Sequence, residues 1–283
     1  MFKENESARA AGLTHLVRVG DAQFKVLERG TGMPVVLLHG FPLDHSMWDN
    51  QVEPIAAHDR VIVPDLRGFG GSDVTPGVVT MEQMAEDVAG ILDALEIDEP
   101  IVLCGLSMGG YVAFEFWRKY PKRVRGIVLC DTRAMPDTAE AAKYRHETAE
   151  KVLAEGTAPL ADAMLPKLFA PATLELHSSM TAMQRDRILA TSPDGAAAAL
   201  RGMAVRDDSR PILAKISLPA LVIVGEQDAI STVDEMQSIS SAMPNAQLVV
   251  IPHAGHMTPL ENAPAFQEAL DPFLKSLRSM AKA

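Results

Sequence analysis

A serine at position 107 lies between closely spaced glycines, in the sequence Gly-Leu-Ser-Met-Gly-Gly at 105–110. A short apolar run at 101–104 precedes it, and a segment with helical spacing follows it. A serine held on a sharp turn between a strand and a helix needs neighbours without side chains, and Gly105 and Gly109 provide this clearance. The pattern predicts that Ser107 is an exposed nucleophile at the end of a strand.

A serine hydroxyl is a weak nucleophile at neutral pH, so a histidine must accept its proton and a carboxylate must orient that histidine. Two of the eight histidines, His253 and His256, follow the last strand-like apolar run at 248–251. Gly255 allows the loop to turn His256 back toward the sheet, whereas His253 is closer to the strand and is expected to pack. The spacing therefore favours His256 as the base.

Three acidic residues follow strand-like runs and are candidates for the orienting carboxylate. Asp228 follows the run at 221–224 through a short loop, which makes it the favoured candidate. Asp131, at the end of the run at 124–130, is an open alternative, and Glu226 is a weaker one.

Attack on an ester carbonyl creates an oxyanion, which two backbone N–H groups can stabilise. Met108 provides one of them, because it follows the nucleophile and begins a helix whose first amides are unpaired. The loop His39-Gly40-Phe41-Pro42 follows another apolar run, and the N–H of Phe41 is the expected second donor. His39 is expected to position this loop rather than to titrate in catalysis.

The elements that must position these residues alternate between strands and helices. An apolar and polar alternation at 15–20 and 23–28 predicts a hairpin at the edge of a sheet. Nearly continuous apolar runs predict strands buried on both faces at 35–38, 61–63, 101–104, 124–129, 221–224 and 248–251. Helical spacing predicts helices at 47–57, 81–96, 108–120, 233–243 and 263–277, the second of them capped by Thr80.

One interval, from about 133 to 216, contains no strand-like run. It is rich in Ala, Met, Leu, Glu and Arg and is interrupted by six prolines, which indicates several short helices. An interval of this length is too long for a loop, so we expect a helical cap at 133–216 on a core formed by 1–132 and 217–283.

Composition excludes several classes of protein. The chain has 283 residues, 47% of them hydrophobic, and a formal net charge of −11, which argues against a nucleic-acid partner. The apolar stretch at 100–114, which has no charged side chain, is shorter than the ~20 residues that span a bilayer. Cys104 and Cys130 have no metal-ligand spacing and are expected to be reduced core thiols.

Residues 1–16 lack an apolar signal core, which predicts a cytoplasmic protein.

Five segments together resemble the ordered signature of the α/β-hydrolase superfamily, over about 22–277: 39–41, 65–72, 105–110, 225–228 and 254–256. The order Ser107, Asp228, His256 matches that arrangement. The closest resemblance within it is to bacterial carboxylesterases and 3-oxoadipate enol-lactonase-like hydrolases. The resemblance implies a mostly parallel eight-stranded sheet flanked by helices, a helical cap inserted after strand six, and no cofactor or metal.

The leading interpretation is a serine carboxylesterase acting on small to medium esters through an acyl-enzyme. A lactone hydrolase is the first alternative, with Arg133, Arg201 or Arg206 as the cation for a substrate carboxylate. Cofactor-free perhydrolysis and a ligand receptor that retains the triad are further alternatives. Haloalkane dehalogenases and epoxide hydrolases of this fold carry an aspartate nucleophile, so Ser107 excludes them. The expected partner is a small-molecule ester or lactone.

Overall fold

The computed structural model describes residues 13–280, so most of the N-terminal segment on which the cytoplasmic prediction rests lies outside the described residues. Eight strands form one sheet in the order β1-β2-β4-β3-β5-β6-β7-β8. The strands are β1 (Leu13–Val19), β2 (Ala22–Arg29), β3 (Pro34–Leu38), β4 (Arg60–Pro64), β5 (Ile101–Leu106), β6 (Val124–Cys130), β7 (Ala220–Gly225) and β8 (Ala246–Ile251). From β3 to β8 neighbouring strands are parallel, while β1 and β2 are antiparallel to their neighbours. The predicted sheet and its edge hairpin are confirmed.

Helices alternate with the strands along the chain. They are α1 (Asp49–Ala56), α2 (Met81–Ala94), α3 (Met108–Lys119), α4 (Ala139–Glu155), α5 (Ala158–Leu168), α6 (Pro171–Leu176), α7 (Ser178–Ala190), α8 (Pro193–Ala204), α9 (Arg210–Leu213), α10 (Val233–Ala242), α11 (Thr258–Glu261) and α12 (Ala263–Met280). A short 3-10 helix, His45–Trp48, precedes α1. Thr80 caps α2 as predicted, because its hydroxyl accepts a hydrogen bond from the N–H of Gln83 at 3.1 Å.

Burial follows the position of each strand in the sheet. Every residue of β3, β4, β5 and β7 is buried, as the continuous apolar runs predict. The prediction was wrong for β8, in which Ile251 alone is fully buried. This strand lies at the edge of the sheet and pairs with β7 on one side only, so its apolar run is half-covered.

Helices α4 to α9 all lie between β6 and β7. Between Cys130 and Ala220 the structure contains no strand, in agreement with the insertion expected after strand six. The division of the chain into a core and a cap at 133 and 216 remains a prediction. Within residues 13–280, none of the helices combines the length and apolarity that crossing a bilayer requires.

Candidate active site

Four neighbouring parallel strands, β5 to β8, end at the same edge of the sheet, and each is followed by a candidate residue. Ser107 follows β5, Asp131 follows β6, Asp228 follows β7 and His256 follows β8. Adjacent strands are about 4.8 Å apart, so residues on neighbouring loops are within reach of one another. Residues far apart in the chain thus meet at this edge.

Ser107 occupies a strained turn between β5 and α3. Its backbone lies in the left-handed region, at φ 54° and ψ −110°. Its N–H donates to the carbonyl of Cys130 at 2.9 Å, and the Thr132 hydroxyl donates to its carbonyl at 2.7 Å. Its own hydroxyl is half-buried and has no hydrogen-bond partner among the described residues. Among the described residues, no hydrogen bond joins this hydroxyl to His256.

The glycines around Ser107 are required by close approach. A Cβ at Gly105 would collide with the carbonyl oxygen of Gly109, and a Cβ at Gly109 would collide with that of Leu38. A side chain at either position would push α3 away from the sheet. This agrees with the clearance expected from the sequence motif.

His256 is buried and its Nδ1 lies 2.8 Å from Oδ2 of Asp228. The same carboxylate accepts hydrogen bonds from the N–H of Ile230 at 2.7 Å and from the hydroxyl of Ser231 at 2.7 Å. Burial alone would raise the pKa of Asp228, but His256, the Ser231 hydroxyl and the Ile230 amide outweigh burial and lower that pKa. Asp228 is therefore held as the charged form that can orient His256.

Asp131, the alternative acid, has other partners. Its Oδ1 accepts from the N–H of Gly225 at 2.8 Å, and its Oδ2 accepts from the Thr258 hydroxyl at 2.5 Å. Burial, followed by the charge of Asp228, raises the pKa of Asp131 well above its usual range. Within the described chain, His256 Nδ1 has polar contacts with Asp228 and Ser231 alone.

The two weaker candidates meet each other instead. The N–H of His253 donates to Oε2 of Glu226 at 3.1 Å, and both residues are exposed. The expectation that His253 packs was wrong, because its backbone adopts φ 58° at the end of β8 and turns the ring toward solvent.

The two amides expected to stabilise an oxyanion are unpaired. Neither the N–H of Phe41 nor that of Met108 donates to an acceptor in residues 13–280. A Cβ built on Gly40, the neighbour of Phe41, would lie 3.5 Å from Cβ of Ser107, so this loop approaches the serine closely. Two unpaired donors thus belong to the loop and the helix that flank Ser107.

His39 connects the loop of Phe41 to a second loop. Its Nδ1 donates to the carbonyl of Gly40 at 3.0 Å, and its Nε2 accepts from the N–H of Leu66 at 2.9 Å. Burial lowers the pKa of His39, which keeps the ring neutral and suited to these two bonds. This agrees with the expected positioning role.

A cavity of about 530 Å³ lies between helices α4 and α5 and the two loops that carry Phe41 and Asp228. Phe41 lines it on one side, and Ala229 and Ile230, which directly follow Asp228, line it on another. Leu160 and Met164 from α5 contribute apolar surface. A small organic molecule would fit in this space.

The sequence profile of the alpha/beta hydrolase fold matches residues 33–263. The chain belongs to the α/β-hydrolase fold family. The eight-stranded sheet and its flanking helices agree with this match. The match in turn supports a hydrolase.

An esterase and two enol-lactonases, two of the three known as solved structures, are similar to this hydrolase. A thermophilic esterase from Thermogutta terrifontis, solved with malate bound, is 45% identical with a TM-score of 0.90, covering 94% of this chain and 99% of that one. An enol-lactonase from Burkholderia xenovorans is 31% identical with a TM-score of 0.85, covering 93% and 100%. The 3-oxoadipate enol-lactonase 1 of Acinetobacter baylyi is 31% identical over 270 residues, covering 93% of this chain and 98% of that protein.

The three arginines proposed as substrate cations are all ion-paired in the hydrolase. Arg133 lines the cavity, and its Nε lies 3.2 Å from Oε2 of Glu235. The other two pair within the cap: Arg201 with Glu150 and Arg206 with Asp137. Lys151 and Lys167, which the sequence did not single out, also line the cavity and have no ion-pair partner in the described chain.

One group of side chains has the geometry of a metal site. Asp44, His45 and Asp65 offer ligand atoms that lie within 4.8 Å of one another. Each already has an internal role, since Asp44 caps the 3-10 helix, and Asp65 Oδ1 lies 2.6 Å from Nδ1 of His45. These bonds account for the group without an ion.

Three residues around the site were not found from the sequence: Thr132, which holds the carbonyl of Ser107, Ser231, which holds Asp228, and Glu261, which contacts the loop of His256. Ser231 follows Asp228 by three residues, a spacing at which an aspartate commonly binds the turn that follows it. The contact of Thr132 joins residues 25 apart in the chain and leaves no local signal. Glu261 is only six residues after Gly255, but no motif in the sequence marks its side chain as a partner of that loop.

Proposed function

We propose that this hydrolase is a serine carboxylesterase that cleaves small to medium carboxylic esters through an acyl-enzyme intermediate. Ser107 is the nucleophile, His256 the general base and Asp228 the residue that orients His256. The observation that carries the proposal is the 2.8 Å contact of buried Asp228 with His256, on the sheet edge that also presents the unpaired hydroxyl of Ser107. The rival acid Asp131 is engaged elsewhere.

In the acylation step, Oγ of Ser107 bonds to the ester carbonyl carbon while its proton passes to Nε2 of His256. Asp228 fixes the tautomer in which Nδ1 carries a proton, so Nε2 is free to accept one. The tetrahedral intermediate collapses when the protonated His256 gives this proton to the departing alkoxide. The alcohol leaves and the acyl group remains on Ser107.

The negative charge on the carbonyl oxygen is stabilised by the N–H groups of Phe41 and Met108. Each such donor contributes about 3 to 4 kcal/mol of transition-state stabilisation in enzymes of this kind. Met108 adds the favourable dipole at the start of α3. In deacylation, water gives a proton to His256 and attacks the acyl carbon, and Ser107 recovers the proton as the carboxylic acid departs.

The cavity indicates which esters fit. Its volume of about 530 Å³ lies in the usual range for small-molecule sites, and Leu160 and Met164 give it apolar surface. We therefore expect short and medium acyl chains to be accepted better than long ones.

A lactone is the second candidate substrate, and two observations favour it. The enol-lactonases cited above resemble the chain over nearly its whole length. Lys151 and Lys167 line the cavity and have no ion-pair partner in the described chain, so a substrate carboxylate can orient toward them. If turnover of an anionic lactone exceeds that of a neutral ester of equal size, the lactone assignment replaces the ester assignment for the same residues.

Ser107→Ala tests the proposed function. We expect kcat for p-nitrophenyl butyrate to fall by a factor of about 10⁴ or more, because the nucleophile is lost while the donors remain. Labelling by a fluorophosphonate, located by mass spectrometry, should occur on Ser107 in the wild type. Ser276→Ala is the matched control, because that hydroxyl donates to a backbone carbonyl on α12. Full turnover by Ser107→Ala would refute the mechanism.

A further inference from the structure

The side chain of Glu261, at the end of α11, accepts four hydrogen bonds that divide evenly between its two oxygens. Oε1 accepts from the N–H groups of Gly255 at 2.9 Å and Met257 at 3.2 Å. Oε2 accepts from the N–H of Ala170 at 2.8 Å and from the hydroxyl of Thr173 at 2.7 Å. One oxygen therefore holds both neighbours of His256, and the other holds the insertion between β6 and β7.

The same two segments touch at further points. The N–H of His256 donates to the carbonyl of Leu168, the last residue of α5, at 3.0 Å. A Cβ on Gly255 would lie 2.6 Å from the amide nitrogen of Ala170 and 2.9 Å from the carbonyl carbon of Phe169. The φ of Gly255 is not positive, so this position needs a glycine because of the close approach and not because of a left-handed backbone.

An acidic residue suits this place better than its amide. A carboxylate accepts on both oxygens, whereas a glutamine would direct its NH₂ group at N–H or O–H donors. Burial raises the pKa of Glu261, and its four donors oppose that rise. All four donors can be satisfied only by a side chain that accepts on both oxygens, and a half-buried carboxylate meets this requirement.

We propose that Glu261 is a positioning residue that fixes the loop of His256 to the segment at 168–173, an inference that rests on the proposed role of His256 as base. Helix α5 supplies cavity residues such as Leu160, Met164 and Lys167, and it ends at the residue that binds the His256 amide. The wall against which substrate packs and the catalytic base are therefore held in one hydrogen-bonded unit. Glu261 sets the distance between His256 and the bound substrate.

Glu261→Gln tests this inference in the full-length enzyme with p-nitrophenyl butyrate. Because small displacements of a catalytic group reduce rate strongly, we expect kcat per active site to fall by about 10- to 100-fold while KM changes by less than about twofold. Active sites are counted from the burst of p-nitrophenol. A purely structural role would lower the burst amplitude and leave the rate per site unchanged, and that result would overturn the inference.

Glu226→Gln is the matched control, because Glu226 also accepts from a backbone N–H of this loop, that of His253, but makes no hydrogen bond to 168–173 within the described residues. Its kcat per site should stay within about twofold of the wild type, since losing one exposed contact leaves His256 in place. An equal loss in both variants would show that any change in this loop suffices and would overturn the role of Glu261.

If Glu261→Gln does not fold, Thr173→Val tests the positioning role of Glu261 in its place. It removes one donor on the far side of the carboxylate and touches none of the catalytic residues. We expect a loss of about threefold to fivefold in kcat per site at unchanged KM, because the other three donors still hold the carboxylate. An unchanged kcat would overturn the inference. An inactive wild type whose Ser107 resists fluorophosphonate would instead refute the proposed function itself.

Discussion

Two aspartates follow neighbouring strands at the same edge of the sheet and have opposite protonation tendencies. Asp131 follows β6 and binds a backbone N–H of Gly225 and the hydroxyl of Thr258. Asp228 follows β7 and binds His256 and Ser231. Burial raises the pKa of Asp131 well above its usual range, whereas the partners of Asp228 lower its pKa in spite of burial.

The difference shows that position at the sheet edge does not decide which carboxylate orients the histidine. A buried carboxylate stays charged when an imidazole and several donors face it, and it tends to accept a proton when few donors do. The charge of Asp228 also contributes to the raised pKa of Asp131. One acid of the pair is therefore suited to orienting a base, and the other to joining β7 to α11.

Among changes to the two aspartates and their partners, replacing Asp228 should lower kcat the most. Asp228→Asn removes the charge that stabilises protonated His256 and favours the wrong tautomer, so we expect kcat to fall by roughly 10⁴-fold. The measurement is p-nitrophenyl butyrate hydrolysis at neutral pH, with circular dichroism to verify folding. Wild-type turnover by a folded Asp228→Asn would assign the orienting role elsewhere.

Much of this arrangement could be predicted from local sequence. The strand, the glycines and Ser107 are contiguous, so one short window contains the turn and the steric reason for it. Asp228 and Asp131 are both found as residues that follow buried strands. The sequence cannot separate them fully, because the contact of Asp228 with His256 and that of Asp131 with Thr258 join segments far apart in the chain.

The strands of the fold could also be predicted from the sequence, but their neighbours in the sheet could not. Continuous apolar runs identify the buried strands, but the run of β8 cannot reveal that one of its sides has no neighbour. The His256 loop shows the same limit, since Gly255 suggests a turn in sequence and proves to be a contact with Ala170. Strand order and contacts between distant segments depend on tertiary packing, which no single window contains.

A smaller effect should separate the two hydroxyl groups that bind the aspartates. Ser231→Ala removes a donor to Oδ2 of Asp228, the atom that also faces His256, so we expect kcat to fall by about fivefold. Thr258→Val removes the corresponding donor to Asp131 and should leave kcat within about twofold while costing about 1 kcal/mol of stability. Steady-state kinetics and urea unfolding measure both. The reverse order of effects on kcat would contradict the assigned roles.

The smallest effect on activity is expected for Asp131→Asn, because an amide replaces a carboxyl that the fold prefers to protonate. A raised pKa in the folded state means that the folded chain binds the proton of Asp131 more tightly than the unfolded chain does. The stability that this proton contributes is present at low pH. It is lost as pH rises from the usual carboxyl range toward the raised pKa. Asparagine does not titrate. The free energy of unfolding of Asp131→Asn relative to the wild type should therefore increase between about pH 5 and about pH 8, with kcat within about 1.5-fold of the wild type. Urea unfolding at both pH values measures this, and parallel pH curves would show that Asp131 is charged in the folded protein.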